Sequence, residues 1–224
     1  MLKAWWRQAP VTVFFCSLMI VAYVATALQS LSLMENLSGS SLGNASLLYL
    51  PLMTSPLGPL RALLSAFMHL GPAHLTLNLV LLFLLGREVE ISYGSRLYLL
   101  VWLFAAIGAS AVTVWMDPLA STVGASGVGY ALMVLFLFVV RRRGGDLRGP
   151  LVLIIANIMY TLITPTVSLW GHMGGLLAGL VLSFGLQFSS PAYRWVAISG
   201  IGLGFIVLLL WKISLFATSG FWAL

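Results

Sequence analysis

Charge is what this sequence has least of. Asp, Glu, Lys and Arg make up 7% of its 224 residues, 61% are hydrophobic, and the mean hydropathy is +1.06; a soluble domain carries roughly 25% charged residues. A water-solvated globule is excluded, and the bilayer is the solvent of most of the chain. Cysteine is nearly absent too. The single Cys16 lies inside an apolar run, so no intramolecular disulfide can form and the redox compartment is not legible. Acids number five, Glu35, Glu88, Glu90, Asp117 and Asp146, all expected in loops or at helix ends. That argues against a pair of intramembrane aspartates, and the lack of His-Glu-x-x-His argues against a zinc peptidase. Low-complexity tracts and internal repeats are missing as well, which weakens an inverted-repeat transporter.

What is present is a series of apolar runs. A spanning helix needs ~20 apolar residues, and the chain offers spans at 11–28, 73–85, 97–116, 128–140, 151–163 and 171–188, with a seventh at 195–211. Ala25-Thr26-Ala27 resembles a small-residue cleavage site, but the first run is long for a signal peptide and sets the orientation of the rest. Residues 29–71 form one long connection, apolar enough to predict short interfacial helices. The second span is expected to stop at 86–90, where Arg87, Glu88 and Glu90 cluster, and Asn157 in the fifth is read as an interhelical hydrogen bond. With the amino terminus inside, Lys3, Arg7, Arg87, Arg96, Arg141, Arg142, Arg143, Arg148 and Arg194 fall inside, and only Arg61 and Lys212 outside. This bias follows the positive-inside rule and accounts for the +6 net charge without nucleic acid. The arginines at 141–143 are an orientation signal first and an anionic-lipid contact second.

One stretch departs from this pattern. Arg141 marks the inner face, and fifteen helical residues back to Ser126 cover only ~22 Å of a ~30 Å hydrocarbon core. Ser126, in Gly124-Ala125-Ser126-Gly127, therefore lies below the outer surface, behind the irregular stretch 119–127. Non-helical backbone at that depth must be buried in protein or line a wet cavity. The second, fourth and sixth spans all enter from outside, which puts His74, Asn78, Ser126 and His172 at one level. Intramembrane polar groups are costly and mark function. A serine and a neutral imidazole at equal depth can form a nucleophile and base, with no buried carboxylate to orient the base, so a dyad is expected. His69, five residues from His74, is read as structural and on another face.

Three motifs in order, Gly124-Ala125-Ser126-Gly127, His69 with His74 and Asn78, and His172 with Gly175 and Gly179, resemble the rhomboid family of intramembrane serine proteases. The resemblance covers roughly 61–179. It implies an all-α polytopic membrane protein with a six-helix bundle at 9–188, preceded by a cytoplasmic segment at 1–8 and followed by an additional helix and tail at 189–224. No regulatory soluble domain is expected ahead of the first span. Ser126 would be the nucleophile and His172 the general base, with His74, Asn78 and the Ser126 N–H as oxyanion hole. Gly124, Gly127, Gly175 and Gly179 would support them, and Tyr130 would pack on the imidazole. The substrate implied is a transmembrane segment cut near its outer end. No cofactor or metal is implied, and the implied location is the plasma membrane with the site opening outward.

Leu60-Arg61 departs from the family's common Trp-Arg, and Gly171 stands where alanine is common. Blander readings exist: Gly124 to Gly127 as a helix-packing contact, His172 as a satisfied core histidine, and the whole as a non-catalytic rhomboid-like protein that binds membrane clients. Members of that kind usually lack the serine or the histidine, and both are present here. Asn36-Leu37-Ser38 and Asn44-Ala45-Ser46 are glycan-acceptor patterns in the outer loop.

Overall fold

The computed structural model describes residues 6–219; Lys3, the start of the 1–8 segment and the 220–224 end lie outside them. The elements are helical throughout: α1 Pro10–Ser30, α2 Ser41–Ser46, α3 Arg61–Leu64, α4 Gly71–Leu81, α5 Arg87–Tyr93, α6 Ser95–Met116, α7 Ser126–Arg142, α8 Arg148–Ile163, α9 Leu169–Leu186 and α10 Pro191–Thr218. Helices α1, α6, α9 and α10 are long and apolar enough to cross a bilayer, and the bent pair Gly58–Phe67 with Gly71–Tyr93 makes a fifth candidate. The shorter α7 and α8 complete an all-α polytopic bundle of six helices with α10 as a seventh. Apolar side chains such as Val21, Val24, Leu77, Ile155 and Leu203 cover its exterior. Such a surface suits lipid rather than water.

The centre is built where α1, α6 and the long connection meet. Phe15 stacks on Trp102 at 4.0 Å, and Phe67 adds its ring at 5.2 Å from the same indole. Helix α9 sits against α7 and α6 through glycines that remove side chains from the contact. A Cβ on Gly179 would stand 2.6 Å from the Ala131 carbonyl, and one on Gly174 2.8 Å from that of Ala109. Small residues permit this approach, and van der Waals packing rather than a hydrophobic gradient holds the helices. On the far side, α10 is tied to α6 by the Trp115 indole N–H, which donates to the Leu208 carbonyl at 3.0 Å. Lys212 lies over that indole at 5.0 Å.

The stop expected at 86–90 does not occur. One π turn at Leu82–Gly86 joins α4 to α5, so the rod runs on to Tyr93. Its charges are committed rather than solvated. The buried Glu90 carboxylate accepts from the backbone N–H groups of Val11 and Thr12 at 3.0 and 2.8 Å and from the Thr12 hydroxyl at 2.7 Å. Those N–H groups open α1 and have no partner within it, so an acid from another helix supplies the cap and complements the helix dipole.

The 29–71 connection carries short helical turns, as its composition predicts, and Asn36 organises it. Fully buried, its Nδ2 donates to Thr26 Oγ1 at 2.7 Å and to the His69 carbonyl at 2.9 Å, while Oδ1 accepts from Gly71 N–H at 2.9 Å. Asn36 therefore cannot carry a glycan in this fold, whereas Asn44 is exposed. Arg61 closes the same connection by donating to the Asn44 and Leu47 carbonyls, which the change from Trp-Arg to Leu-Arg leaves intact. Replacing Asn36 strands two buried backbone groups at ~1–3 kcal/mol each. Asn36→Ala is expected to destabilise the protein by about 3 kcal/mol, read as a lowered midpoint of thermal unfolding in detergent. An unchanged midpoint would remove Asn36 from this role.

Candidate active site

The segment ahead of α7 is irregular, and its polar groups are paired from the long connection. Leu48 and Thr122 exchange two backbone hydrogen bonds at 3.0 Å, Gly124 N–H donates to the Ser65 carbonyl at 2.9 Å, and Ala125 N–H donates to His69 Nε2 at 3.3 Å. Non-helical backbone is tolerated inside a membrane protein on those terms. Gly124 adopts φ +118°, and a Cβ there would stand 2.7 Å from the His74 ring; only glycine accepts both constraints. The chain then enters α7 at Ser126, partly accessible on its first turn.

Helix α9 begins under a Ser168 cap that accepts from Gly171 N–H at 3.1 Å, and its first turn delivers His172. The buried His172 Nε2 and Ser126 Oγ are 2.8 Å apart. The Tyr130 ring, one turn beyond Ser126, stacks on the imidazole at 4.2 Å between centroids with 14° between planes.

Behind the imidazole stands a residue that motif reading misses. Thr161 Oγ1 lies 2.8 Å from His172 Nδ1 and 2.5 Å from the Tyr130 hydroxyl, and both hydroxyls face the Asn157 carbonyl, at 2.9 and 2.6 Å. The two hydroxyls hold two protons between them; with one in their mutual contact and the other on the Asn157 carbonyl, Thr161 presents a lone pair to Nδ1. In that arrangement Nδ1 carries the hydrogen and Nε2 faces Ser126 as an acceptor. A sequence signal for Thr161 existed: it sits two residues before the end of α8, and His172 three after the start of α9, so the antiparallel pair brings them level. The expected interhelical bond of the Asn157 side chain is not made. Its amide donates within its own helix, to the Leu153 carbonyl at 2.8 Å, and the contact between helices uses its carbonyl instead.

His74 and Asn78 share one face of α4, where Asn78 Nδ2 donates to the His74 carbonyl at 2.9 Å and keeps a second N–H. His69 is buried in the loop before α4. Its Nδ1 donates to the Phe67 carbonyl at 3.3 Å while Nε2 accepts from Ala125, a neutral ring with both nitrogens used. The reading of His69 as facing away from His74 needs correction: residues 68–70 are not helical, and the two rings meet at 5.1 Å. Gly127 lies under the Gly171 carbonyl, and Gly175 touches the Gly127 carbonyl. A cavity of ≈ 40 Å³ adjoins Ser126, with Ser65, Ser110, Thr113, Thr122 and Ser168 in its wall. A water needs roughly 10–15 Å³ of such space and two to four polar partners, so this hydroxyl-lined cavity suits water.

A partly accessible serine on a helix N-terminus, an imidazole nitrogen 2.8 Å from its hydroxyl, the His74 ring beside Gly124 and a cavity with room and polar partners for water are features that an acyl-transfer site needs. Comparison with known proteins agrees in kind. A Rhomboid domain profile matches residues 58–188. The chain is 34% identical over 124 residues to rhomboid protease GluP of Bacillus subtilis, covering 53% of this chain and 24% of GluP. To Rhomboid-like protease 3 of Toxoplasma gondii it is 31% identical over 130 residues, 54% of this chain and 49% of that one. Inactive rhomboid-related protein 2 of Caenorhabditis elegans is 23% identical over 145 residues, covering 58% and 41%. The chain thus spans about a quarter of GluP and about half of the Toxoplasma protein.

Proposed function

This chain belongs to the rhomboid family, and from that premise we propose that it is an intramembrane serine endopeptidase, cutting transmembrane segments of other membrane proteins near their outer end. The observation that carries the proposal is the 2.8 Å contact between Ser126 Oγ and His172 Nε2. His172 takes the serine proton as Oγ attacks the scissile carbonyl. The tetrahedral oxygen is met by the Ser126 N–H, His74 and Asn78, at the positive end of α7. Protonated His172, stacked on Tyr130 and holding Thr161 through Nδ1–H, then gives its proton to the leaving amine. Water from the adjoining cavity, activated by the same Nε2, hydrolyses the acyl-enzyme and releases Ser126. In this reading the protein is a multi-pass resident of the cell membrane whose site opens outward.

The test is a fluorophosphonate probe applied to the full chain in detergent, with the adduct located by mass spectrometry. Labelling at Ser126 that requires His172 supports an activated serine. A folded protein that neither labels nor cleaves a transmembrane substrate would overturn the protease reading in favour of client binding.

Thr161 gives a finer check. Thr161→Val keeps the shape and leaves Nδ1–H without an acceptor, so kcat is expected to fall about tenfold, the value of ~1.4 kcal/mol of hydrogen bonding. Thr161→Ser should restore most of it. Equal rates in the valine and serine variants would show that the hydroxyl does not position the base.

A further inference from the structure

A second cavity, ≈ 460 Å³, opens at the arginine-rich end of the bundle. Arg141 and Arg142 reach it from the end of α7, Arg194 from the first turn of α10, and Tyr93 from the end of α5, while the partly exposed Phe138 gives it an apolar side. None of its lining residues is acidic. The guanidinium groups of Arg142 and Arg194 approach the same Tyr93 ring, at 5.8 and 5.9 Å. Arg194 is held there by the Phe188 carbonyl, which accepts from Nε at 2.6 Å.

The acids at this end of the bundle are engaged elsewhere: Glu90 caps α1, and Asp146 accepts from the Arg148 N–H at 2.9 Å. Glu88 pairs with Arg143 at 2.8 Å and with Arg87 at 2.6 Å, and Arg143 also donates to Ser92. Like charges brought together in a cleft repel unless an anion joins them. Guanidinium forks match phosphate oxygens bidentately. The positive-inside rule puts this end at the cytoplasmic leaflet, where anionic lipids give a negative surface. A ligand that satisfies three arginines and also the Phe138 ring has an anionic head and an apolar tail.

We propose that this cleft is a headgroup site for an anionic phospholipid, its phosphate held between Arg142 and Arg194 with Arg141 at the rim and an acyl chain along Phe138. Bound there, the lipid joins the inner end of α7, the helix that carries Ser126, to the start of α10.

The test uses the full chain in neutral detergent, titrated with phosphatidylglycerol, phosphatidylcholine or inorganic phosphate and followed by native mass spectrometry and thermal unfolding. Phosphatidylglycerol is expected to bind and raise the unfolding midpoint, with phosphatidylcholine at least tenfold weaker and inorganic phosphate without effect at the same concentration. The double variant Arg142→Gln/Arg194→Gln should bind phosphatidylglycerol at least tenfold more weakly. Arg96→Gln/Arg148→Gln, the same loss of charge at two exposed arginines outside the cleft, should bind like the parent. Equal weakening in both double variants would reduce the effect to net charge, and a response to inorganic phosphate matching that to the lipid would make this a free-anion site; either overturns the proposal. Unfolding midpoints without added lipid, measured for every variant, separate lost binding from lost fold, and if the cleft double is unfolded, Arg194→Gln alone carries the test with the same threshold.

Discussion

Ser126→Ala is expected to lower cleavage of a transmembrane substrate by at least ~10³-fold, His172→Ala to do the same, and the double variant to be no worse than either single one. The reason is the geometry of one hydrogen bond. A serine hydroxyl is a poor nucleophile until a base takes its proton, and the structure puts His172 Nε2 at 2.8 Å from Oγ. With the base gone the oxygen stays protonated, and with the oxygen gone the base has nothing to activate, so the two losses overlap instead of multiplying. The measurement is single-turnover cleavage in reconstituted vesicles with all three variants at matched fold and concentration. Multiplicative losses, or substantial activity in His172→Ala, would mean that Ser126 is activated by another group. The five acids are placed elsewhere: Glu35, Asp117 and Asp146 are exposed. The buried Glu90 caps α1 through Val11 and Thr12, and Glu88 is paired with Arg87 and Arg143.

The bundle was legible because lipid imposes simple rules on composition. Apolar runs mark helices, and the distance from Arg141 back to Ser126 predicts a short fourth span, which α7 is at Ser126–Arg142. What stayed hidden were polar groups whose partners lie far away in sequence. Arg87, Glu88 and Glu90 read as a stop signal because charge next to an apolar run usually meets water; here Glu90 bonds α1, 78 positions away. Asn36 looked like a glycan acceptor because its sequence pattern is local, while the contacts that bury it reach residues 10, 33 and 35 positions away. Thr161 is hidden because the residue expected behind a catalytic imidazole is an acid. A hydroxyl whose own proton is already committed can hold the tautomer equally well, and no motif advertises that. Helical spacing sets His69 and His74 on different faces, but it does not apply where the backbone is not helical, as at residues 68–70.

The glycines of α9 lead to the second large effect. Gly175 stands one turn after His172, and a Cβ built on it would collide with the backbone carbonyl of Gly127, the residue after Ser126. Nothing flexible can give way, because the obstacle is main chain on both sides. Gly175→Ala must therefore push α9 and α7 apart at the level where the base meets the nucleophile, and it cannot be absorbed by a rotamer change. Overpacking of this kind costs roughly 1–3 kcal/mol, while a displacement near 1 Å at a catalytic contact can cost on the order of 10²-fold in rate. Gly175→Ala is thus expected to fold with a lowered unfolding midpoint and to lose about 10²-fold in kcat, with fluorophosphonate labelling of Ser126 slowed in parallel. Gly200→Ala is the matching control, since a Cβ on Gly200 in α10 meets nothing within 4 Å, and it should leave rate and stability near the parent. If Gly175→Ala destabilises the protein while Ser126 labels at the parental rate, the contact between α7 and α9 serves the fold alone and the catalytic spacing is set elsewhere. A parallel loss would tie the spacing of Ser126 and His172 to the absence of one side chain on the helix that carries the base.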